Sequence, residues 1–249
     1  MRQAALVTGS AIRVGRHFAL TLAKAGYDIA IHYSSSVQAA EQTAAEIREL
    51  GVECEIFQCD FLHGGDPSPL VEAVVERFPS LSVLINCASI YNAAPIAETS
   101  LEMLQQEFQV NFFAPFMLCG AFANRVESGN IINILDNKIQ FQQYQYGAYL
   151  SAKKALGELT KMAAMEFAPR IRVNGICPGV IMPGVTRSDA YIEWRNQGIP
   201  LARKGEAEEL GKALLYLLDN EYVTGQQLFV DGGETVQHIG LNAEDYPGD

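Results

Sequence analysis

Short apolar runs alternate along the chain with longer segments in which apolar positions repeat at helical spacing. The runs are apolar on both faces and rich in β-branched residues, which is typical of buried parallel strands. The longer segments predict amphipathic helices. The predicted strands cover residues 4–8, 28–33, 54–59, 82–86, 131–135, 172–177 and 227–230. The predicted helices cover residues 15–25, 37–50, 69–78, 101–125, 149–168 and 206–218.

This alternation predicts a single α/β domain over residues 1–249, a Rossmann-type doubly wound parallel sheet with helices on both faces. With 249 residues and 49% hydrophobic content, the chain is long enough to bury a core of its own. The acidic C-terminal tail, from about residue 240 to 249, leaves two alternatives open: a disordered segment, or one that packs on a neighbouring subunit.

Composition limits the class of partner. The formal net charge is -11 and the sequence pI is near 4.8, which argues against nucleic acid because a phosphate backbone requires a basic face. An anionic ligand must then be held locally, by a helix N-terminus and a well-placed arginine. A small phosphate-bearing molecule is the indicated partner.

The cysteines and the N-terminus indicate the compartment. The chain has no CxxC pair and no histidine cluster, so we expect neither a metal site nor a disulfide framework but buried, reduced thiols. An apolar strand begins within four residues of the N-terminus without a basic leader, and no apolar stretch reaches transmembrane length. We expect a soluble cytoplasmic protein with no membrane partner. The five cysteines are Cys54, Cys59, Cys87, Cys119 and Cys177.

One segment interrupts the regular pattern. Prolines and glycines between residues 175 and 184 end the periodicity, and a polar stretch at 186–197 follows before the next helix. An irregular segment of this kind beside a nucleotide site is a candidate substrate lid. The alternative is a plain connecting loop.

Three residues carry candidate proton chemistry. Tyr149 and Lys153 stand four residues apart on a predicted helix and so share a face, while Asp136 ends a strand thirteen residues before the tyrosine. A nearby ammonium lowers a tyrosine pKa and a nearby carboxylate raises it, so the two neighbours act in opposite directions. The alternative is that Tyr149 and Lys153 are ordinary helix residues.

A glycine-rich loop predicts the cofactor site. Gly9, Arg13, Val14 and Gly15 lie between the first strand and the first helix, where backbone amides suit a pyrophosphate. Gly9 allows the tight turn and Gly15 allows close packing of the helix on the strand. Arg13 stands where a middle glycine is usual, and its guanidinium can bind a phosphate with two N–H groups. The alternative is a simple turn.

The second and third strands indicate which dinucleotide binds. The second strand ends in Tyr33, Ser34, Ser35 and Ser36, without the acidic residue that would accept from a ribose hydroxyl and repel a 2′-phosphate. With Arg13, this favours NADP(H) over NAD(H). The serines could instead cap the next helix. After the third strand, Asp60 and Phe61 are placed to meet the adenine, although Asp60 could equally cap a helix.

Taken together, these motifs resemble the short-chain dehydrogenase/reductase family. The resemblance implies that the tyrosine is the general acid/base and that the lysine binds the nicotinamide ribose and lowers the tyrosine pKa. It further implies that Asn111 anchors a water on the proton path, that the assembly is a homotetramer, and that further residues bind the cofactor. The motifs that carry it are residues 8–15, Asn86 with Ala88 and Ser89, Asn111, Tyr149 with Lys153, Pro178 with Gly179, and residues 224–233.

Within that family, the chain is similar to the pteridine reductases, which reduce pterins or folates with NADPH. The family usually places a serine where Asp136 stands. The branch is marked by that aspartate, by Arg13 and by an aromatic two residues after Ser89, here Tyr91 where a phenylalanine is expected. The resemblance implies that the substrate is bound by Arg13, Ser89, Tyr91, Asp136 and Tyr149.

The chemistry of Asp136 agrees with that branch. An ionised aspartate cannot donate to a ketone oxygen, whereas it can accept from the N–H groups of a pterin. The leading hypothesis is therefore an NADPH-dependent reductase of a pterin, dihydropterin or dihydrofolate-type substrate. The alternative is a reductase of ketones or sugars in which Asp136 is protonated or displaced. A third hypothesis, from another class, is a non-catalytic NADP-sensing protein.

Overall fold

The computed structural model describes residues 2–63, 65–182, 187–237, 241 and 246–248. Seven strands in these ranges pair in parallel to form one sheet, and they are β1 (Ala4–Val7), β2 (Asp28–Tyr33), β3 (Cys54–Gln58), β4 (Leu81–Asn86), β5 (Gly129–Ile134), β6 (Ile171–Pro178) and β7 (Gln227–Val230). Their order is β3-β2-β1-β4-β5-β6-β7. The order reverses between β1 and β4, which defines the switch point of a doubly wound sheet.

Helices cover both faces of the sheet. The helices are α1 (Arg13–Lys24), α2 (Val37–Glu49), α3 (Ser68–Arg77), α4 (Leu101–Phe108), α5 (Ala114–Arg125), α6 (Gly147–Phe167), α7 (Asp189–Asn196), α8 (Ala207–Asp219) and α9 (Glu234–Gln237). Alternate residues of each strand enter separate cores: Val7 packs with α1, α2 and α8, and Leu6 packs with α3, α5 and α6. The predicted single-domain Rossmann-type fold is confirmed.

The long helix predicted over residues 101–125 is divided. A π-helical turn, Gln109–Phe113, separates α4 from α5 and contains the buried Asn111. Pro115 lies in the first turn of α5 and has no N–H to donate to the carbonyl of Asn111 four residues earlier. The regular hydrogen-bond ladder therefore cannot continue through Asn111, and the wider turn accommodates the break.

The segment after β6 also differs from the prediction. Residues 186–197 were predicted to be irregular, but they contain α7, whose first turn is capped by Ser188 accepting from the Tyr191 backbone N–H at 3.2 Å. Tyr191 and Arg195 lie one turn apart and are both buried, so α7 is held by its inner face. Pro183, Gly184, Val185 and Thr186 lie outside the described residues.

The structure also bears on the predictions for the cysteines, the acidic tail and membrane-spanning segments. All five cysteines are free thiols, but Cys59 and Cys87 are half-buried rather than buried, because each lies just beyond the end of its strand. Of the acidic tail, Tyr246 is described, and its ring contacts those of Tyr191 and Trp194 on α7 at centroid distances of 5.5 and 5.4 Å. Within the described ranges, no helix is long and apolar enough to cross a membrane.

Candidate active site

A cleft of about 1080 Å³ opens at the carboxyl edge of the sheet, over the switch point. The loops after β1 to β6 line it, together with residues of α7. Ligands of doubly wound sheets bind at this place because helix N-termini and strand ends converge there. Among the residues proposed for the site, the following line the cleft: Gly9, Arg13, Val14, Gly15, Tyr33, Ser34, Ser35, Ser36, Asp60, Phe61, Ala88, Ser89, Tyr91, Asp136, Tyr149, Lys153, Pro178 and Gly179.

In the loop after β1, the positions of Gly9 and Gly15 leave no room for a side chain. A Cβ on Gly15 would lie 2.3 Å from the Gly9 carbonyl oxygen, and one on Gly9 would lie 2.8 Å from Cα of Ala88. Gly9 also has φ +64°, in the left-handed region that favours glycine. The loop therefore packs directly on the β4 loop and presents backbone to the cleft, which fits a dinucleotide pyrophosphate.

Arg13 begins α1 with φ +55°, a conformation that costs a residue with a side chain about 1 kcal/mol or more. Its Nη2 donates to the Met182 carbonyl oxygen at 2.5 Å, beyond the end of β6. The side chain is exposed and lines the cleft. Arg13 therefore extends from the phosphate loop toward the substrate side of the cleft.

His32 fixes the glycine loop from below and was not predicted. Its Nδ1 accepts from the Gly9 backbone N–H at 2.9 Å, so its Nε2 carries the proton and donates to the Cys59 carbonyl at 2.9 Å. Burial lowers the pKa of His32 to about 4, and its ring stacks on Phe61 at 4.2 Å. A histidine inside an apolar strand, two residues before the serine run, was the available signal.

The serines after β2 are exposed at one end of the cleft. Ser36 directly precedes α2, yet its side chain makes no capping hydrogen bond within the described structure. Asp60 is not a helix cap either, because α3 begins only at Ser68. Its carboxylate accepts from the Leu62 backbone N–H at 2.9 Å and pairs with His63 at 3.0 Å; the hydrogen bond from His63 lowers the pKa of Asp60.

The loop after β4 is held by hydrogen bonds beneath the cleft. Thr8 Oγ1 accepts from the backbone N–H groups of Cys87 and Ala88 at 2.9 and 3.0 Å. Asn86, proposed to bind cofactor, does not line the cleft; it is buried and donates to Asn133 Oδ1 at 2.8 Å. The side chain of Asn86 therefore ties β4 to β5 under the loop that carries Ala88.

Asn111 also lies behind the cleft wall rather than in it. Its Oδ1 accepts from Ser89 Oγ at 2.6 Å, and its Nδ2 donates to Glu107 Oε2 at 2.8 Å. Glu107, which sequence reasoning missed, is fully buried on α4, and burial raises its pKa. The π-helical turn thus joins a buried carboxyl group through Asn111 to Ser89 at the cleft.

The three candidate catalytic residues converge. Tyr149 Oη donates to Asp136 Oδ2 at 2.8 Å, while Asp136 Oδ1 accepts from the Lys138 backbone N–H at 2.8 Å. Lys153 Nζ donates to the Ile134 carbonyl at 2.8 Å and lies 5.8 Å from the centroid of the Tyr149 ring. The helix α6 and the end of β5 therefore place a phenol, a carboxyl group and an ammonium in one wall.

The opposed influences on the pKa of Tyr149 have a clear outcome. Burial raises the pKa of Tyr149 well above its usual value, and the Asp136 carboxylate adds to the rise. Burial also raises the pKa of Asp136 and lowers that of Lys153. All three shifts favour uncharged groups, so a bound ligand that removes one partner can change where the proton resides.

Aromatic rings form one side of the catalytic wall. The ring of Tyr91 stacks on Tyr146 with centroids 4.1 Å apart and meets Tyr149 edge-on at 4.7 Å. Tyr91 remains 47% exposed. A flat substrate could therefore contact Tyr91 beside the Tyr149 hydroxyl.

The opposite wall begins where β6 ends at Pro178. A Cβ on Gly179 would lie 2.7 Å from Cα of Asp231, so this turn packs closely on the chain after β7. With the glycine loop, it gives the cleft two walls of closely packed backbone. A nucleotide-binding sheet that carries a tyrosine, a lysine and a carboxyl group at its switch point defines a dinucleotide-dependent oxidoreductase.

Comparison with known proteins agrees with this class. A family model described as Enoyl-(Acyl carrier protein) reductase matches residues 9–235. The oxidoreductase YohF of Escherichia coli is 33% identical over 98% of this chain and 100% of its own length. The 3-oxoacyl-[acyl-carrier-protein] reductase FabG of Staphylococcus epidermidis is 32% identical over 94% of this chain and 99% of its own. The chain belongs to the short-chain dehydrogenase/reductase family and is an NAD(P)-dependent oxidoreductase.

Two solved structures extend the comparison. FolM alternative dihydrofolate reductase 1 from Brucella suis, in complex with NADP, superposes with a TM-score of 0.90 at 28% identity, over 98% of each chain. The acetoin dehydrogenase YohF from Salmonella typhimurium superposes with a TM-score of 0.85 at 30% identity, over 97% of this chain and 99% of its own. The NADP in the Brucella structure agrees with the NADP(H) predicted from the sequence.

Proposed function

We propose that the protein is an NADPH-dependent reductase of pterin, dihydropterin or dihydrofolate-type substrates. The observation that carries this proposal is the 2.8 Å hydrogen bond from Tyr149 Oη to Asp136, a carboxyl group where the family usually has serine. The similarity to a FolM alternative dihydrofolate reductase supports it.

The donor and acceptor pattern of the wall favours a nitrogen heterocycle. In a ketone reductase, both the tyrosine and the serine donate to the carbonyl oxygen. Here, Tyr149 donates to Asp136, and an ionised Asp136 has no proton to give. A reduced or oxidised pterin ring presents N–H groups that a carboxylate can accept, and a C=N bond that can be reduced.

Proton transfer follows from the same pair. NADPH, when bound, supplies the hydride to the ring carbon. Burial raises the pKa of Asp136, which favours the protonated carboxyl group; this group can pass its proton, with Tyr149, to the ring nitrogen. Lys153 holds the nicotinamide ribose, and Asn111 supports the path by which the proton is replaced.

The proposal assigns the cofactor and the substrate to the two ends of the cleft. The serines after β2 donate to the 2′-phosphate, Arg13 contacts both cofactor and substrate, and Ser89 and Tyr91 contact the substrate ring. Tyr91 already holds one aromatic ring face to face, at a centroid distance of 4.1 Å, which supports stacking as the mode of contact.

A second candidate is a carbonyl reductase acting on a ketone or sugar, and the sequence relatives support it better than they support a pterin. FabG is named as a 3-oxoacyl reductase and the Salmonella structure as an acetoin dehydrogenase. The raised pKa of Asp136 supports it as well, because a protonated carboxyl group can donate to a carbonyl oxygen as serine does.

A substrate panel separates the two candidates. NADPH oxidation is followed with dihydrobiopterin, dihydrofolate, acetoin and other ketones. Turnover of the pteridines supports the proposal, and turnover of ketones alone would reject it in favour of the second candidate. Cofactor binding without turnover on the whole panel would instead support the non-catalytic sensor.

Asp136→Ser tests directly whether the carboxyl group beside Tyr149 is needed for pteridine reduction. The proposal expects kcat/KM on the pteridines to fall by at least tenfold, about 1.4 kcal/mol of transition-state stabilisation. Asp136→Asn is the matched variant, because it keeps the shape and acceptor oxygen but cannot titrate. Unchanged pteridine turnover in both variants would show that the carboxyl group is incidental.

We also propose a homotetramer in the cytoplasm. Large apolar side chains are exposed on or beside α4 and α5, namely Leu104, Phe113, Phe116 and Met117, which supports burial against another copy. The five free thiols support a reducing compartment. Light scattering coupled to size exclusion measures the assembly, and a monomeric mass at micromolar concentration would contradict the tetramer.

A further inference from the structure

A buried carboxyl group on α4 anchors the loop after β4, which carries Ser89 and Tyr91. Glu107 is fully buried, and its Oε1 accepts from the Asn92 backbone N–H at 2.8 Å and from Asn92 Nδ2 at 2.9 Å. Its Oε2 accepts from Asn111 Nδ2 at 2.8 Å, and Asn111 in turn contacts Ser89. Glu107 therefore holds the loop directly at Asn92 and, through Asn111, at Ser89.

The contacts of Glu107 fit the ionised form of its carboxyl group. Three N–H groups point at its two oxygens, and a carboxylate accepts from all of them without a proton of its own to place. Burial raises the pKa of Glu107, whereas the hydrogen bonds from Asn92 and Asn111 and the charge of Lys153 oppose that rise. In this form Glu107 can only accept hydrogen bonds.

The orientation of the Asn111 amide follows from Glu107. The amide nitrogen Nδ2 lies 2.8 Å from Glu107 Oε2 and 3.1 Å from the Ile90 carbonyl oxygen. Both neighbours are acceptors, so only the NH2 end of the amide can face them. The amide oxygen Oδ1 must then point the other way, where it lies 2.6 Å from Ser89 Oγ. Because Oδ1 can only accept, the Ser89 hydroxyl must donate.

These hydrogen bonds occupy the only proton of the Ser89 hydroxyl. It is donated to Asn111 Oδ1, and the Ile90 carbonyl oxygen at 3.2 Å is a second acceptor for the same proton. Ser89 is exposed and lines the cleft, whereas Asn111 is fully buried. Turning the proton toward a ligand would take this donor away from the buried Asn111 Oδ1, which is costly. Ser89 Oγ therefore offers a lone pair to the cleft.

We propose that Glu107 is a positioning residue that, through Asn111, makes Ser89 a hydrogen-bond acceptor and so selects substrates that present an N–H group to it. The nature of the substrate rests on the proposed function. An amino group on a pteridine ring fits such an acceptor. A carbonyl oxygen at the same ring position would set its lone pairs against those of Ser89 Oγ.

Three pteridines measure this selection, through dissociation constants on the NADP⁺ complex. The compound 6,7-dimethylpterin has an amino group at ring position 2 and a carbonyl at position 4. In 6,7-dimethyllumazine both positions are carbonyls, and in 2,4-diamino-6,7-dimethylpteridine both are amino groups. At one of the two positions, the wild type should bind the amino form about tenfold or more tightly than the carbonyl form. Equal affinity for all three compounds would overturn the proposal.

Ser89→Ala removes the acceptor at the cleft. The preference for the amino form should fall by about fivefold or more, because the remaining contacts of the ring do not depend on this oxygen. An unchanged preference would overturn the proposal. This variant is at an exposed residue, so the test does not depend on whether a variant of the buried Glu107 folds.

Glu107→Gln tests the origin of the hydroxyl direction. Glutamine has one acceptor oxygen and one NH2 group. With the oxygen kept at the two Asn92 donors, the NH2 group faces Asn111 and turns its amide over, so Ser89 no longer has to donate to it. The preference for the amino form should again fall by about fivefold or more. Glu102→Gln is the matched control, because Glu102 is exposed on the same helix, and it should behave as the wild type.

A purely structural role of Glu107 has a different signature. In that case, Glu107→Gln would weaken the binding of all three pteridines by the same factor and leave the preference unchanged, which would overturn the proposal. In the double variant Ser89→Ala/Glu107→Gln the preference should equal that of Ser89→Ala, because Glu107 acts through Ser89. A further fall would also overturn it. Failure of the wild-type protein to bind any of the three would instead overturn the proposed function, so the two failures are distinguishable.

Discussion

The two ends of the cleft are built from different interactions. The cofactor end, formed by the loops after β1, β2 and β3, relies on close backbone packing and neutral hydrogen bonds, as in the contact from the Gly9 N–H to His32. The substrate end, formed by the loops after β5 and β6 with α7, relies on buried or half-buried ionisable side chains. These include Asp136, Lys153 and the Arg195–Glu234 pair.

This difference indicates how each end should respond to change. At the cofactor end, close backbone contacts fix the shape of the loops, so a change there should weaken NADPH binding with little effect on the chemical step. At the substrate end, the pKa values of Asp136, Tyr149 and Lys153 are shifted toward neutral groups, so disturbance should appear in turnover. Four predictions test this contrast.

The largest effect is expected for Tyr149→Phe at the substrate end. Loss of the hydroxyl removes the proton donor, and general acid catalysis contributes about 10²–10⁴-fold, so kcat/KM should fall by about 10³. NADPH affinity should change by less than threefold, measured by fluorescence titration. Tyr144→Phe is the control, because Tyr144 is 63% exposed and does not line the cleft. A loss of NADPH affinity as large as the loss of kcat/KM would contradict the difference between the two ends of the cleft.

The next effect concerns His32 at the cofactor end. Its folded pKa is about 4, below the usual 6.5, because burial favours the neutral ring. The stability that it contributes is therefore present above pH 6.5 and is lost as the pH falls toward 4, about 3 kcal/mol in all. Chemical denaturation across that range should show this loss in the wild type.

His32→Asn keeps an acceptor for the Gly9 N–H but does not titrate between pH 7 and pH 4, so most of the acid-dependent loss should disappear. His63→Asn, at an exposed histidine of the same cleft, should keep the wild-type profile. Equal acid sensitivity in wild type and His32→Asn would show that other groups control stability in this range.

A smaller effect is expected for Gly15→Ala. The added Cβ would lie 2.3 Å from the Gly9 carbonyl oxygen, so the loop must move away from α1. NADPH affinity should fall by at least tenfold, about 1.4 kcal/mol, while kcat at saturating NADPH stays within threefold. Gly120→Ala is the control, since a Cβ there meets nothing within 4 Å. A fall in kcat with unchanged affinity would contradict the contrast.

The smallest effect is expected for Arg13→Gly. Glycine removes the cost of a positive φ, so the free energy of unfolding should rise by about 1 kcal/mol, while NADPH affinity falls because the guanidinium is lost. Ala202→Gly is the control, at a described residue with φ +52° outside the cleft lining. It should gain similar stability without a change in affinity. Unchanged NADPH binding in Arg13→Gly would show that Arg13 does not bind the cofactor.

The sheet and most of the cofactor end could be predicted from the sequence because their signals are local. Alternating apolar runs predicted five of the helices and all seven strands to within a few residues, and Gly9 and Gly15 stand at fixed positions after β1. The five helices are α1, α2, α3, α6 and α8. Of the helical elements described above, three escaped this reasoning, and one of them, α9, has only four residues, too few to show a period. The π-helical turn at Asn111 depends on the missing N–H of Pro115, and α7 depends on a cap at Ser188 and a buried inner face, neither of which gives a strong periodic signal.

The sequence by itself determined the fold class and paired Tyr149 with Lys153, because helix periodicity puts both on one face. Asp136 was singled out by its position at the end of a strand and by the resemblance to the family. Only the tertiary structure decided which influence on Tyr149 prevails. Burial and a 2.8 Å hydrogen bond to Asp136 depend on how α6 packs against the end of β5. The Arg195–Glu234 pair likewise joins residues 39 positions apart, and it is buried only because α7 packs on the chain beyond β7.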